Sequence, residues 1–112
     1  MKIGLVPQVV IDALHPTASV PYVPLGLLCL AGALDRRRHA VEIIDLTMAV
    51  RDRALPCDRD FERAAARLIH ARGFDVVGFS TFSSTYHHTL KIARELKALS
   101  PSTTIVFGGP QA

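Results

Sequence analysis

Residues 75–86 read DVVGFSTFSSTY and place five hydroxyl side chains within six positions: Ser80, Thr81, Ser83, Ser84 and Thr85. Val76, Val77, Gly78 and Phe79 come first, the make-up of a buried strand. Hydroxyls at the end of such a strand can cap the next helix by accepting from its first backbone N–H groups. They can also line a ligand shelf, because a serine hydroxyl both donates to and accepts from a ring nitrogen or a ribose hydroxyl. Gly108 and Gly109, followed by Pro110, suit either a strand-ending turn or the close approach of backbone to a flat ring. Tyr86 is placed to stack on such a ring or to pack locally. His87 and His88 open the following helix, exposed or in contact with polar groups of a ligand. His15 lies in a long loop from which it could reach the same edge.

The elements that must position these residues follow from apolar spacing. Lys2–Pro7 (KIGLVP) reads as a short buried strand. Residues 8–24 hold Pro16, Pro21 and Pro24 without a clean period and read as a long loop, a length usually tied to function in a compact domain. From Leu25 the pattern turns helical, with Leu27, Leu30, Ala31 and Leu34 at the spacing of one helix face and Pro24 at the first turn. His39 stands where a helix often ends with a residue at positive φ.

Ala40–Asp45 (AVEIID) reads as the second strand, and residues 46–57 as a loop. Asp58 or Asp60 is expected to cap a helix that turns Phe61, Ala65, Leu68 and Ile69 to one side, with Gly73 past its end. Asp75–Ser80 is the third strand. A third helix is expected over 85–99 with Leu90, Ala93 and Leu96 inward, stopped by Pro101. Thr104–Gly108 (TIVFG) is the fourth strand.

Strands alternating with helices specify a parallel sheet covered on both faces. The expected fold is therefore α/β, a doubly wound, Rossmann-like parallel sheet of order 2-1-3-4, incomplete before a fifth strand. Ligands of such sheets bind beyond the carboxyl ends of the strands, where the strand order reverses. The hydroxyl run, the proline-rich loop and the glycine pair all fall at that edge.

With 112 residues the chain is one domain, spanning 1–112. Hydrophobic residues at 49% and charged residues at 21% place it among globular proteins and exclude a disordered chain. No apolar run approaches the roughly 18 residues of a membrane span, and the N-terminus lacks a cleavage-site pattern, so neither a membrane anchor nor a signal peptide is read. The formal charge of +3 is mild. Its one cluster, Arg36-Arg37-Arg38, is read as a solvated helix end rather than a nucleic-acid patch. Cys29 and Cys57 lack metal-ligand spacing. Cys29 is expected to be a small core residue, Cys57 to lie in a loop, and both suit a reducing cytoplasm.

Three chemistries find no support. The Gly-x-Gly-x-x-Gly fingerprint of dinucleotide sites and the phosphate loop Gly-x-x-x-x-Gly-Lys-Ser/Thr are both absent. A phosphoacceptor receiver would need an acidic pair after the first strand and an aspartate ending the third. Pro7, Gln8 and Ser80 stand there instead.

The segments PLGLLCLAGAL (24–34), VEIIDL (41–46), DVVGFSTFSSTYHHTLKIARELK (75–97) and VFGGPQA (106–112) together resemble the N-terminal cobalamin-binding domain of cobalamin-dependent radical S-adenosylmethionine enzymes. The wider cobalamin-binding fold carries an Asp-x-His-x-x-Gly loop, a Ser-x-Leu element after the third strand and Gly-Gly after the fourth. In that fold the histidine replaces the cofactor's own benzimidazole on cobalt, and the other two elements line the slot for the displaced nucleotide tail. Ser80-Thr81-Phe82 matches Ser-x-Leu with phenylalanine for leucine, and 25 residues separate it from Gly108-Gly109. The resemblance implies a cofactor site of Ser80, Phe82, Ser83, Ser84, Tyr86, Gly108, Gly109, Pro110, Val23 and Gly26.

One departure is plain. With Gly26 as the last glycine of Asp-x-His-x-x-Gly, Pro21 takes the place of the aspartate and Val23 that of the histidine. The resemblance therefore implies base-off cobalamin without a histidine from this motif, as is common in the radical-enzyme branch. S-adenosylmethionine and a [4Fe-4S] cluster would belong to a downstream radical barrel, because no Cys-x-x-x-Cys-x-x-Cys motif occurs here. The chain is accordingly expected to be part of a larger protein, a methyltransferase of this class, and not to catalyse alone. The expected partners are cobalamin, the barrel and a second copy paired through an exposed fourth strand. The alternative is a cofactor-free domain that shapes substrate access to the barrel.

Overall fold

The computed structural model of the protein describes residues 1–8, 25–56, 58–81 and 86–109. Its sheet consists of β1 (Lys2–Val6), β2 (Ala40–Ile43), β3 (Val76–Ser80) and β4 (Thr104–Gly108), all parallel, in the order β2-β1-β3-β4. The doubly wound α/β sheet read from the sequence is thus present, and its strand order reverses between β1 and β3.

Alternation along each strand sends residues to two different layers. On one face, Val6, Val77 and Phe79 meet Phe61, Ala65, Ala66 and Ile69 of α3 (Phe61–Ala71) and Ile92, Ala93 and Leu96 of α4 (Tyr86–Leu99). Leu46 and Val50 of α2 (Leu46–Arg51) complete this main core. Each such large side chain contributes about 1.5–3 kcal/mol on full burial. On the other face, α1 (Leu25–Ala33) and the turn beyond it lay Leu27, Ala31 and Leu34 over Ile3, Leu5, Val41, Ile43 and Val76. That cover stops short of β4, where Val106 is 49% exposed. Gly4 is required by the main core, since a Cβ there would stand 2.7 Å from the Phe74 ring.

Several expectations need correction. Residues 46–57 do not form a continuous loop: α2 occupies 46–51, with the Asp45 carboxylate accepting from the Met48 N–H at 3.1 Å. Six residues give too short a period to see in the sequence, although the cap and the Leu46/Val50 spacing were both there. Cys29 is exposed rather than in the core, because α1 is apolar all round and turns only the Leu27–Ala31–Leu34 stripe to the sheet. Leu30 is exposed for the same reason. In α4 the buried stripe is Thr89, Ile92, Ala93 and Leu96, and Leu90 faces out. His39 does not take a positive φ, which among the described non-glycine residues occurs at Arg53. Its N–H instead closes a turn onto the Asp35 carbonyl at 2.9 Å. Asp60 sits at the N-cap of α3 without a side-chain cap bond, and the Asp58 carboxylate accepts from the Asp60 N–H. Gly73, with φ of 68°, follows the C-cap of α3 as expected.

A carboxyl-edge trough as the candidate functional site

Register places the site. β3 and β4 pair Gly78 with Val106 and Ser80 with Gly108. Parity puts all four on the face toward α1, because Val77, Phe79, Ile105 and Phe107 pack on the opposite face. Three of the four are glycine or serine, so the carboxyl half of this face is a trough made of missing side chains. A Cβ added at Gly108 would meet nothing within 4 Å, and one at Gly78 only the end of Leu5, at 3.3 Å. Val106 is the one large side chain rising from this floor. The Ser80 hydroxyl has no hydrogen-bond partner among the described residues.

The rim beyond the strands is fixed by Thr81. Wholly buried, it directs its N–H and its Oγ1 to the Gly108 carbonyl, each at 2.8 Å. Gly109 then turns back with φ of 95°, close enough that a Cβ would stand 2.7 Å from the Thr81 carbonyl oxygen and 3.0 Å from its nitrogen. Gly109 is therefore a packing glycine, whereas Gly108 borders open space.

Helices α3 and α4 both start at this edge, since each runs back toward the amino end of the sheet. Their first turns are joined by His88 Nδ1 and Glu62 Oε1 at 2.8 Å. Phe61 meets the His88 ring edge-on, and His87 lies beside it with ring centres 4.0 Å apart. Burial pushes the Glu62 carboxyl up. The His88 hydrogen bond, its own backbone N–H and the positive charges of His88 and Lys91 outweigh this and hold it below 4.5. Desolvation, then the charges of His88 and Lys91, lower the His87 imidazole against a smaller opposing effect of Glu62. His88 is thus not a free helix-start histidine but part of a carboxylate–imidazole pair.

Of the residues singled out in the sequence, Ser80, Gly108 and Gly109 come together at the trough. Tyr86 begins α4 and is half-buried, while Gly26 lies in the first turn of α1, exposed and with open space around it. Val23, Phe82, Ser83, Ser84 and Pro110 lie outside the described residues, as do His15 and Cys57. Sequence reasoning missed Gly78 and Glu62, and it grouped Thr81 with the shelf hydroxyls, whereas its hydroxyl is buried on the Gly108 carbonyl. A glycine inside a strand does signal close approach of a ligand or backbone, and alternation after Ser80 points Thr81 to the main core. Nothing local marks Glu62, which meets His88 from 26 residues away. A cleft of about 640 Å³ opens at the other, amino edge, lined by His70, Asp75 and Thr103 among others. Its polar groups serve the fold: Asp75 accepts from the Lys2 N–H, and Thr103 bonds Ser100. The trough, not this cleft, sits where doubly wound sheets bind ligands.

Fold and trough together define a doubly wound α/β domain with a ligand shelf at its switch-point edge. The chain belongs to the B12-binding domain family, whose model matches residues 13–112. No curated protein and no solved structure matches it. Cobalamin carries a flat benzimidazole on a nucleotide tail, and the trough suits such a ring. Gly78 and Gly108 leave room above the strands, Val106 offers an apolar edge, and Ser80 offers a hydroxyl. Among the described residues no helix is long and apolar enough to cross a membrane, and no group of three or more His, Cys, Asp or Glu could hold a metal ion.

Proposed function

We propose that the chain is the cobalamin-binding module of a radical S-adenosylmethionine enzyme, a methyltransferase, and does not catalyse alone. The observation that carries cofactor binding is the in-register pair Ser80 and Gly108, with Gly78 beneath it, half-buried on the sheet face toward α1. In this reading Gly78 and Gly108 would leave room in the trough for the nucleotide tail, and Ser80 would donate or accept a hydrogen bond there. Gly109 and Thr81 hold the rim at its height. When bound, cobalamin supplies the cobalt that carries a transferable methyl group, and the protein's part is to position it and exclude competing reactions.

The radical step belongs to a separate barrel with its own S-adenosylmethionine and [4Fe-4S] cluster, and the whole acts in the cytoplasm. The resemblance of 24–34, 41–46, 75–97 and 106–112 to the radical-enzyme branch supports this, as does Val23 at the place of the motif histidine. Pairing of two copies through β4 is part of the same reading. β4 is the outer strand of the described sheet, and TIVFG carries neither charge nor proline to discourage edge pairing.

The test is a spectral titration of the purified chain with hydroxocobalamin and methylcobalamin. Saturable conversion to a base-off spectrum, weakened by Ser80→Tyr, is the expected result. If neither this chain nor a version joined to its barrel binds, the domain acts as a cofactor-free wall for substrate access.

A further inference from the structure

The side chains of the trough change character with depth. On the face toward α1, β3 sets out Val76, Gly78 and Ser80, and β4 sets beside them Thr104, Val106 and Gly108. The Ser80 hydroxyl and the bare Gly108 form the carboxyl rim. One step inward, about 6–7 Å along the strands, Gly78 is bare and Val106 rises beside it, 49% exposed. There the floor meets Leu5, whose Cδ2 lies 3.3 Å from where a Cβ of Gly78 would stand, and next comes Val76 of the same apolar cluster. Thr104 is about 13 Å from the rim, behind Val106. Ile3 and Leu5 are what β1 contributes to this face, and α1 carries no charge over Leu25–Ala33.

A group entering from the rim thus meets a hydroxyl first and a branched alkyl group one step further in. Flat bicyclic bases respond to that gradient in two ways. A benzimidazole holds both nitrogens in one ring and only carbon and hydrogen, or methyl groups, in the other. With its nitrogen end at Ser80 it sets no polar atom against Val106 or Leu5. A purine carries nitrogen in both rings, and adenine adds an amino group. Whichever end of it meets Ser80, the other lays donors or acceptors against Val106, where β3 and β4 offer no partner. Leaving such a group unpaired and out of water costs more than one hydrogen bond returns.

We propose that the trough selects the tail base of its cofactor, taking a benzimidazole in preference to a purine, and that Val106 is the specificity-determining residue. Ser80 pairs with the nitrogen end, and Val106 disfavours polarity at the far end. Selection comes from what the inner step lacks rather than from an added contact, the way an apolar pocket discriminates against a polar analogue of similar shape. The proposal rests on the cobalamin reading above, but the two fail differently.

The experiment titrates the chain, as wild type and as Val106→Thr, with three cofactors: hydroxocobalamin, its analogue with adenine in place of dimethylbenzimidazole, and cobinamide, which has no tail. Val106→Thr keeps the shape and exchanges one methyl for a hydroxyl at a half-exposed position, with circular dichroism as the check on folding. The free cofactors differ in whether their own base holds the cobalt, so the readout is the change in each Kd between the two proteins. The expected result is weaker binding of hydroxocobalamin, tighter binding of the adenine analogue and unchanged binding of cobinamide, the ratio of the first two moving about tenfold. Val106→Ala, which removes bulk without adding polarity, weakens hydroxocobalamin without tightening the adenine analogue. Equal changes for the two tailed cofactors, or none, overturn the assignment to Val106 and leave cofactor binding standing. A change for cobinamide as large as for hydroxocobalamin overturns it too, since Val106 then meets a part of the cofactor other than its tail. Failure of all three to bind the wild type overturns both readings.

Discussion

Thr81 grips the carbonyl of Gly108 twice, through its N–H and through its Oγ1, each at 2.8 Å. The two residues lie just past and at the ends of neighbouring strands, so the double bond pins the tips of β3 and β4 to one height. That is what keeps the Ser80 and Gly108 positions level across the trough. Thr81→Val keeps the shape, removes one of the two bonds and leaves the other. The expected loss is about 1 kcal/mol, the net worth of a hydrogen bond of this kind. It is read as a lower urea midpoint at unchanged slope. An unchanged midpoint would mean that the hydroxyl bond is redundant.

The two glycines at the end of β4 make opposite predictions. A methyl group at 108 enters open space, while one at 109 collides with Thr81 backbone at a φ of 95°. Gly108→Ala is therefore expected to leave stability within about 0.5 kcal/mol, as for a change that disturbs no packing. It should nevertheless weaken cobalamin binding, because the methyl group occupies the trough. Gly109→Ala is expected to destabilise the fold by about 1–3 kcal/mol through backbone strain and overlap. Thermal unfolding and cobalamin titration of both variants separate the roles. Equal stability losses would remove the distinction between a ligand-facing and a packing glycine.

How much of this was legible in the sequence depends on the range of each interaction. Strand order and the strands themselves followed from runs such as VVGFS and TIVFG, whose composition is local. The pairing of Ser80 with Gly108 also followed in outline, because both end strands of the same sheet. The buried stripes of α1 and α4 were read one residue off at Leu30 and Leu90, since an apolar residue on a helix flank fits a period as well as one facing the core. Helix α2 was too short for its period to register. The Glu62–His88 pair was invisible, as its two halves lie in different helices and are joined only by the packing of α3 on α4.

Gly4 tests that packing from below. A Cβ there would lie within 2.9 Å of three atoms of the Phe74 ring. The ring is buried and carries Lys2 over its face, 5.3 Å from Nζ to the centroid, so it cannot swing away without breaking this contact. Gly4→Ala is expected to cost about 1–3 kcal/mol by overpacking. Gly4→Ala combined with Phe74→Leu should recover part of the loss, read by urea denaturation. Strict additivity of the two changes would show that they do not share this space.

The His88–Glu62 contact carries a pH dependence whose sign is fixed. The Glu62 carboxyl is held below its ordinary value of 4.5 in the folded chain, burial being outweighed by the His88 hydrogen bond, its own backbone N–H and neighbouring positive charge. The unfolded chain therefore binds the proton more tightly, and stability rises with pH across the interval between the two values. The contribution is fully present above the unfolded value and is lost as pH falls through the folded one. Glu62→Gln has no carboxyl to titrate and lacks this contribution at every pH. Urea midpoints of the two proteins are thus expected to differ above the ordinary carboxyl range and to converge as the pH is lowered through it. A gap that stays constant through that range would assign the effect of the substitution to packing against Phe61 rather than to the charge on Glu62.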